Sequence, residues 1–355
     1  MNEPRPETFD VSRRSLLMGG GAVLAGAVLT GCTSNEPAAA PTTNPGTVAT
    51  SAAESATPGK KVRIAFSGPV ADHGFLAAIN SFAKKQAATY SDVEFKVLEA
   101  APDAPSQIAA VQTAIAEKPD ALIIFPQDGD QLTGVGKQAT AAGIPVINLD
   151  RKFNDQSAYR LFLAGDNYKV GFNAGQYIGE KLKGKSDAII GEITGIQTLT
   201  LTQERSQGFK DALAIHGLKV SRQVNAQFTV QSGQQAMANL LAAAPHLDAV
   251  FNHDDDQNIG SEAAAAQANR KEFFIVGNAC SNTMLKHIKD GDARIEADVT
   301  FTPAISATAV SLARLIAQGR SPGDLAGLPM PSLILIDSQL VTKENVDQFS
   351  QFGWD

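Results

Sequence analysis

The chain has 355 residues, enough for two compact domains, and 43% are hydrophobic against 19% charged, a balance suited to ordinary folded cores. A net charge of −7 argues against a nucleic-acid binder, which needs a basic face to neutralise phosphates, and gives no polybasic membrane patch. The two cysteines, Cys32 and Cys280, do not form a disulfide framework.

The amino end reads Ser12-Arg13-Arg14-Ser15-Leu16-Leu17-Met18 and continues as a glycine- and alanine-rich apolar run to Gly31. A charged start, a short apolar stretch and small residues before a cut predict a signal peptide over 1–31. The run is shorter than the roughly 20 residues that a membrane span needs. Arg13-Arg14 resembles a twin-arginine export signal. Leu29-Thr30-Gly31-Cys32 resembles a lipobox, which makes Cys32 the expected site of lipidation and the membrane anchor. Residues 32–59, rich in Ala, Thr, Pro and Ser, show no apolar periodicity and are expected to be a disordered tether with a reach of about 30 Å.

From Lys60 the pattern changes to short β-branched runs alternating with amphipathic segments. Strands are predicted at 62–66, 93–98, 121–125, 144–149 and 161–165, with helices at 75–88, 106–116 and 131–142 between them. A second series places strands at 188–193, 220–228, 249–252, 273–276 and 295–299, with helices including 234–243 and 304–317. Such alternation predicts βαβ units, and two series of this size predict an α/β protein of two Rossmann-like lobes with parallel sheets. Ligands of open α/β sheets bind beyond the carboxyl ends of the strands, so two facing lobes enclose a cleft.

Several separated motifs fall at those strand ends: Asp72-His73-Gly74-Phe75, Phe125-Pro126-Gln127-Asp128, Leu149-Asp150-Arg151, Ala164-Gly165-Asp166-Asn167, Gln203-Glu204-Arg205-Ser206-Gln207-Gly208-Phe209 and Val276-Gly277-Asn278, with Phe228 and Asp254 beside them. In this order and spacing the chain resembles the ribose- and galactose-binding family of periplasmic proteins. The resemblance implies a periplasmic binding protein of type I, with interleaved lobes at 60–166 plus 302–332 and 167–301 plus 333–355, joined by a three-strand hinge. It also implies a monomer that delivers a small sugar or sugar alcohol to an ABC permease. The alternative output is a sensor component for a chemoreceptor or membrane kinase.

A sugar presents directional hydroxyls and apolar C–H faces, so its site combines aromatic rings with charged and amide groups. A carboxylate only accepts and a guanidinium only donates, which makes adjacent Asp150 and Arg151 a pair able to fix several hydroxyls. Phe75 and Phe228 are expected to stack on the ligand, His73 to bond a hydroxyl, and Gln127 to stand in the turn after the third strand. By the resemblance Gln203 takes the place of a ligand-contacting arginine, leaving Arg205 as a structural buttress. Asp254 takes the place of a ligand-binding asparagine, Asn278 that of an aspartate, and Asp298 and Thr300 lie near the last crossover. Clustered carboxylates at Asp254-Asp255-Asp256 suggest calcium, but consecutive residues diverge and no EF-hand spacing is present, so no metal or cofactor is expected. No Gly-x-Ser-x-Gly, His-Glu-x-x-His, Walker or dinucleotide pattern occurs, so no enzyme is expected. Cys280 is expected to be an unpaired, partly buried thiol.

Overall fold

Strands that are apolar on both faces need cover on both faces, and the intervening helices provide it. The computed structural model describes residues 57–292, 294–322 and 330–354. The predicted signal peptide, Cys32 and the tether up to residue 56 lie outside them.

The first sheet holds β1 (Val62–Ser67), β2 (Val93–Val97), β3 (Ala121–Ile124), β4 (Val146–Leu149), β5 (Leu161–Gly165) and β11 (Leu333–Ile336), in the order β11-β5-β4-β3-β1-β2. All its pairings are parallel. The second holds β6 (Ile190–Thr194), β7 (Val220–Asn225), β8 (Ala249–Asn252), β9 (Phe274–Asn278), β10 (Ile295–Val299) and β12 (Leu340–Thr342), in the order β12-β10-β9-β8-β6-β7. Here β12 runs antiparallel to β10 and the other pairings are parallel. The inner strands β3, β4, β5 and β8 are buried at every residue, whereas edge strand β2 is half-exposed.

The helices are α1 (Gly74–Ala88), α2 (Ala104–Ala116), α3 (Gly129–Ala141), α4 (Asn167–Lys181), α5 (Thr200–Ile215), α6 (Val230–Ala243), α7 (Asp255–Gln267), α8 (Asn282–Asp290), α9 (Ile305–Ala317) and α10 (Val346–Phe349). Helices α2 and α3 begin two residues earlier than the apolar pattern predicts. The side chains of Asp103 and Asp128 each accept the backbone N–H three residues on, which starts the helix at the cap. Strand β7 stops at Asn225, short of the predicted Phe228, whose backbone is left-handed at φ 62°.

The chain passes between the sheets three times: after β5, after β10, and between β11 and β12. Residues 333–336, predicted with the second lobe, pair with β5 in the first sheet, so the last passage falls after Ile336. Register explains this: Leu333, Ile334, Leu335 and Ile336 align with Phe162 to Gly165 and extend that sheet by one strand. The end of the predicted tether is also tied down. The Gly59 N–H donates to Asp92 at 2.5 Å, and the Thr57 carbonyl accepts from Arg314 at 2.8 Å and Arg320 at 3.0 Å. Arg314 and Asp92 form a buried ion pair, to which these backbone groups and the Gln318 amide, donating to Asp92 at 2.8 Å, add hydrogen bonds.

Candidate functional site

In each sheet the chain steps outward from the first strand to the second and then returns to the first strand's other side, which makes a topological switch point. The loops beyond these strand ends face one another and enclose about 370 Å³, part of it open to solvent. The first lobe contributes His73, Phe75 and Leu76 after β1, Phe125 after β3, and Asp150 and Arg151 after β4. The second contributes Leu201 and Arg205 from α5, Phe228 after β7, Asp254 after β8, and Asn278 and Ala279 at the end of β9. Phe301, on the passage after β10, forms the wall between them.

Asp150 turns out of β4 with φ 65°, a conformation that Asp tolerates better than branched residues do. Its N–H donates to the Leu163 carbonyl at 2.8 Å, and its Oδ1 is buried with no hydrogen-bond partner among the described residues. Arg151 lies over the Phe125 ring at 5.0 Å, and its terminal nitrogen donates to the Gln127 carbonyl at 2.7 Å, while its Nε is buried without a partner among the described residues. Arg205 repeats the arrangement from the other lobe. Its guanidinium lies 4.6 Å over Phe301 and donates to Asn167 Oδ1 at 2.9 Å and to the His253 carbonyl at 2.7 Å. Gly165 makes room for this wall, since a Cβ there would sit 2.2 Å from the Phe301 ring.

Burial raises the Asp150 carboxyl above its ordinary range, partly offset by Arg151 and Arg205. Burial likewise lowers Arg205 to about 10. Asp254 is pushed well up by burial and by Asp256 and Asp255, although it caps α7 by accepting the Gln257 N–H at 3.1 Å. The lining is therefore polar and charged but mixed in sign, with phenylalanine faces from both lobes.

Gln127, Gln203, Asp298 and Thr300 do not line the cavity. Gln127 braces the loop instead: its N–H donates to Gln107 at 2.7 Å, and its amide donates to the Pro102 carbonyl at 3.1 Å. Gln203 is exposed on α5, with its amide donating to the Gln197 carbonyl at 3.1 Å. A two-residue step on a helix turns about 200°, so Gln203 and Arg205 face opposite ways and the cavity receives Arg205. Arg205 thus has a place in the lining beyond the buttress predicted for it. Asp298 is fully buried behind the site, where its Oδ1 accepts the N–H groups of Val299 at 2.7 Å and Ala279 at 3.2 Å. Thr300 holds the hinge: its N–H and hydroxyl both bond the backbone of Gln339 at 2.9 Å. The Cys280 thiol is buried and unpaired among the described residues, and burial raises its pKa well above the ordinary value.

The acidic run splits three ways. Asp254 faces the cavity, the Asp255 carboxylate accepts the Ser281 N–H at 2.6 Å, and Asp256 reaches the other lobe to accept the Phe75 N–H at 3.2 Å. Phe125, Phe301 and Leu201, and Trp354 behind Phe75, were not legible as parts of the site or its support. Trp354 packs edge-on to Phe75 at 5.6 Å and donates to the Ala279 carbonyl at 2.9 Å. Only the glycine at 165 hinted that something large had to fit beside it.

The sequence model of the periplasmic binding protein domain matches residues 64–321, most of the described chain. The ribose import binding protein RbsB of Salmonella typhimurium is 31% identical, over 77% of this chain and 90% of its own. The chain belongs to the type I periplasmic sugar-binding protein family. An ABC transporter solute binding protein from Mycobacterium smegmatis, solved with bound glycerol, superposes on this binding protein with a TM-score of 0.74 at 25% identity, covering 83% of this chain and 98% of that one. The fructose binding periplasmic domain of the hybrid two component system BT1754 gives 0.72 at 26% identity, covering 82% and 93%. This binding protein is not an enzyme: its relatives bind solutes, and they work outside the cytoplasm.

Proposed function

We propose that this binding protein captures a small neutral polyhydroxylated solute, a pentose, hexose or sugar alcohol, between its lobes and hands it to an ABC permease. It works as a monomer held at the membrane by a lipid on Cys32. The observation that carries the ligand class is the Asp150–Arg151 pair, which offers a buried unpartnered acceptor and donor beside phenylalanine faces. Hydroxyls satisfy such a pair in both directions, and a net charge on the ligand would meet an opposing like charge in this mixed lining. The names of relatives support the same class, from the ribose import binding proteins to the solute binding protein with glycerol bound. Import is the output favoured by the curated relatives; the two-component BT1754 domain favours sensing as a second reading. Loss of labelled-sugar uptake on deletion of the gene supports import, and intact uptake with lost transcriptional response supports sensing.

The test is calorimetric titration of the full chain with D-ribose, D-allose, myo-inositol and glycerol. At least one is expected to bind, and Asp150→Asn is expected to weaken it about a hundredfold through loss of charge-assisted hydrogen bonds. Affinity retained in the variant would remove Asp150 from the site.

A further inference from the structure

Helix α1 begins without a cap of its own. His73 occupies its N-cap position, but the imidazole turns to Asp72 at 2.5 Å, and no acidic residue lies in the first turn. Helices α2, α3, α4, α6, α7 and α8 are each capped by their own N-cap side chain. For α1 the carboxylate comes from the opposite lobe. Asp256, in the first turn of α7, accepts the Phe75 N–H at 3.2 Å.

Trp354 joins it from the same side. Its carbonyl accepts the Asn282 N–H at 2.9 Å and its indole donates to Ala279, so it is fixed to the second lobe. Its ring meets Phe75 of the first lobe, whose other side lies 5.7 Å from Phe301 on the hinge. Gly74 lies in the grip of both: a Cβ there would stand 3.0 Å from Asp256 Oδ1 and 3.2 Å from Trp354 Cζ3. Neither Asp256 nor Trp354 lines the cavity.

We propose that Asp256 and Trp354 form a clasp that grips the amino end of α1 when the lobes close and sets the open–closed balance without touching the ligand. The N–H groups at a helix start carry partial positive charge, so an anion placed there is favoured, and this anion reaches them only in the closed arrangement. An interaction made in one state alone shifts the equilibrium by its full worth. Apparent affinity scales with the fraction of molecules already closed, so the clasp tunes affinity for any ligand the cleft accepts. The inference concerns closure and not ligand identity, and its test uses no ligand, so failure of the sugar reading leaves it standing.

Trp354 is the only tryptophan, so intrinsic emission reports on the clasp itself. In the ligand-free full chain, the indole is expected to emit at short wavelength and resist acrylamide, being 4% exposed. Asp256→Ala is expected to move the closed-to-open ratio about tenfold toward open, by loss of a charged hydrogen bond. Emission should shift to the red, quenching should rise and the radius of gyration from small-angle scattering should grow, with the far-ultraviolet circular dichroism unchanged. Should Asp256→Ala fail to fold, Asp256→Asn keeps the size, removes the charge and is expected to move all three readings the same way. A folded variant with unchanged emission, quenching and radius of gyration overturns the proposal.

Discussion

Asp255 and Asp298 meet behind the site with no exposure to solvent. Among the described residues Asp255 Oδ1 and Asp298 Oδ2 have no other donor, and a proton shared between them satisfies both. Burial drives Asp255 up to about 6, and burial and the facing carboxylate push Asp298 well above its ordinary value. A carboxyl raised on folding holds its proton where the unfolded chain, titrating near about 4, has lost it. Stability from this pair is therefore fully present below about 4, falls as pH rises through about 6 where Asp255 ionises, and falls further where Asp298 gives up the shared proton. Asp298→Asn keeps the acceptor for Val299 and Ala279 and supplies a donor to Asp255. We predict that it stabilises the chain at pH 7.5 by on the order of 1 kcal/mol and flattens the decline of melting temperature over that window. Parallel melting curves for the two proteins would contradict the shared proton. At this scale the sequence is legible where position alone fixes direction, as at Asp150 and Arg151 just past an apolar strand. Asp298 looked similar, yet its side chain turns into the turn at 279–281. Asp256 and Trp354 were illegible because their partners lie on the other lobe, some 180 and 280 positions away in the chain.

Helices α4 and α5 approach through glycines on both sides. A Cβ on Gly171 would sit 1.8 Å from the Arg205 carbonyl, and one on Gly208 would sit 2.0 Å from that of Tyr168. Helices α6 and α7 cross the same way through Gly233 and Gly260. The first crossing positions the site, because Arg205 on α5 donates to Asn167 at the start of α4. Gly208→Ala must push the helices apart, and we predict a loss of about 1–3 kcal/mol in stability together with weaker ligand binding. Thermal unfolding and calorimetry on the same preparation check this; unchanged stability would show that the crossing has slack the geometry does not reveal. Periodicity placed α1, α2, α3, α6 and α9 within a few residues, and the aspartate caps account for the early starts of α2 and α3. The close crossings were hidden, since a glycine in a helix reads as a weak position until its neighbour is known.

The two sheets repeat one strand order, each completed by a late strand from the carboxyl-terminal passage. Alternation of strands and helices was enough to foresee two α/β lobes, because only parallel βαβ units accommodate it. The final exchange was harder to place, since β11 is four residues long and carries no pattern that assigns it to either sheet. With three passages between sheets, the lobes are joined by strand-flanking segments, and on the proposed reading a ligand contacting Asp150 on one side and Arg205 and Asp254 on the other would favour closure. The measurement that tests this account most directly is the melting temperature of the full chain against a panel of pentoses, hexoses, sugar alcohols and amino acids. A ligand at a hundred times its dissociation constant adds about 2.7 kcal/mol, a rise of a few degrees. We predict such a rise with at least one polyhydroxylated compound, and its loss in Asp150→Asn. A rise with amino acids alone, or an equal rise in the variant, would contradict the account.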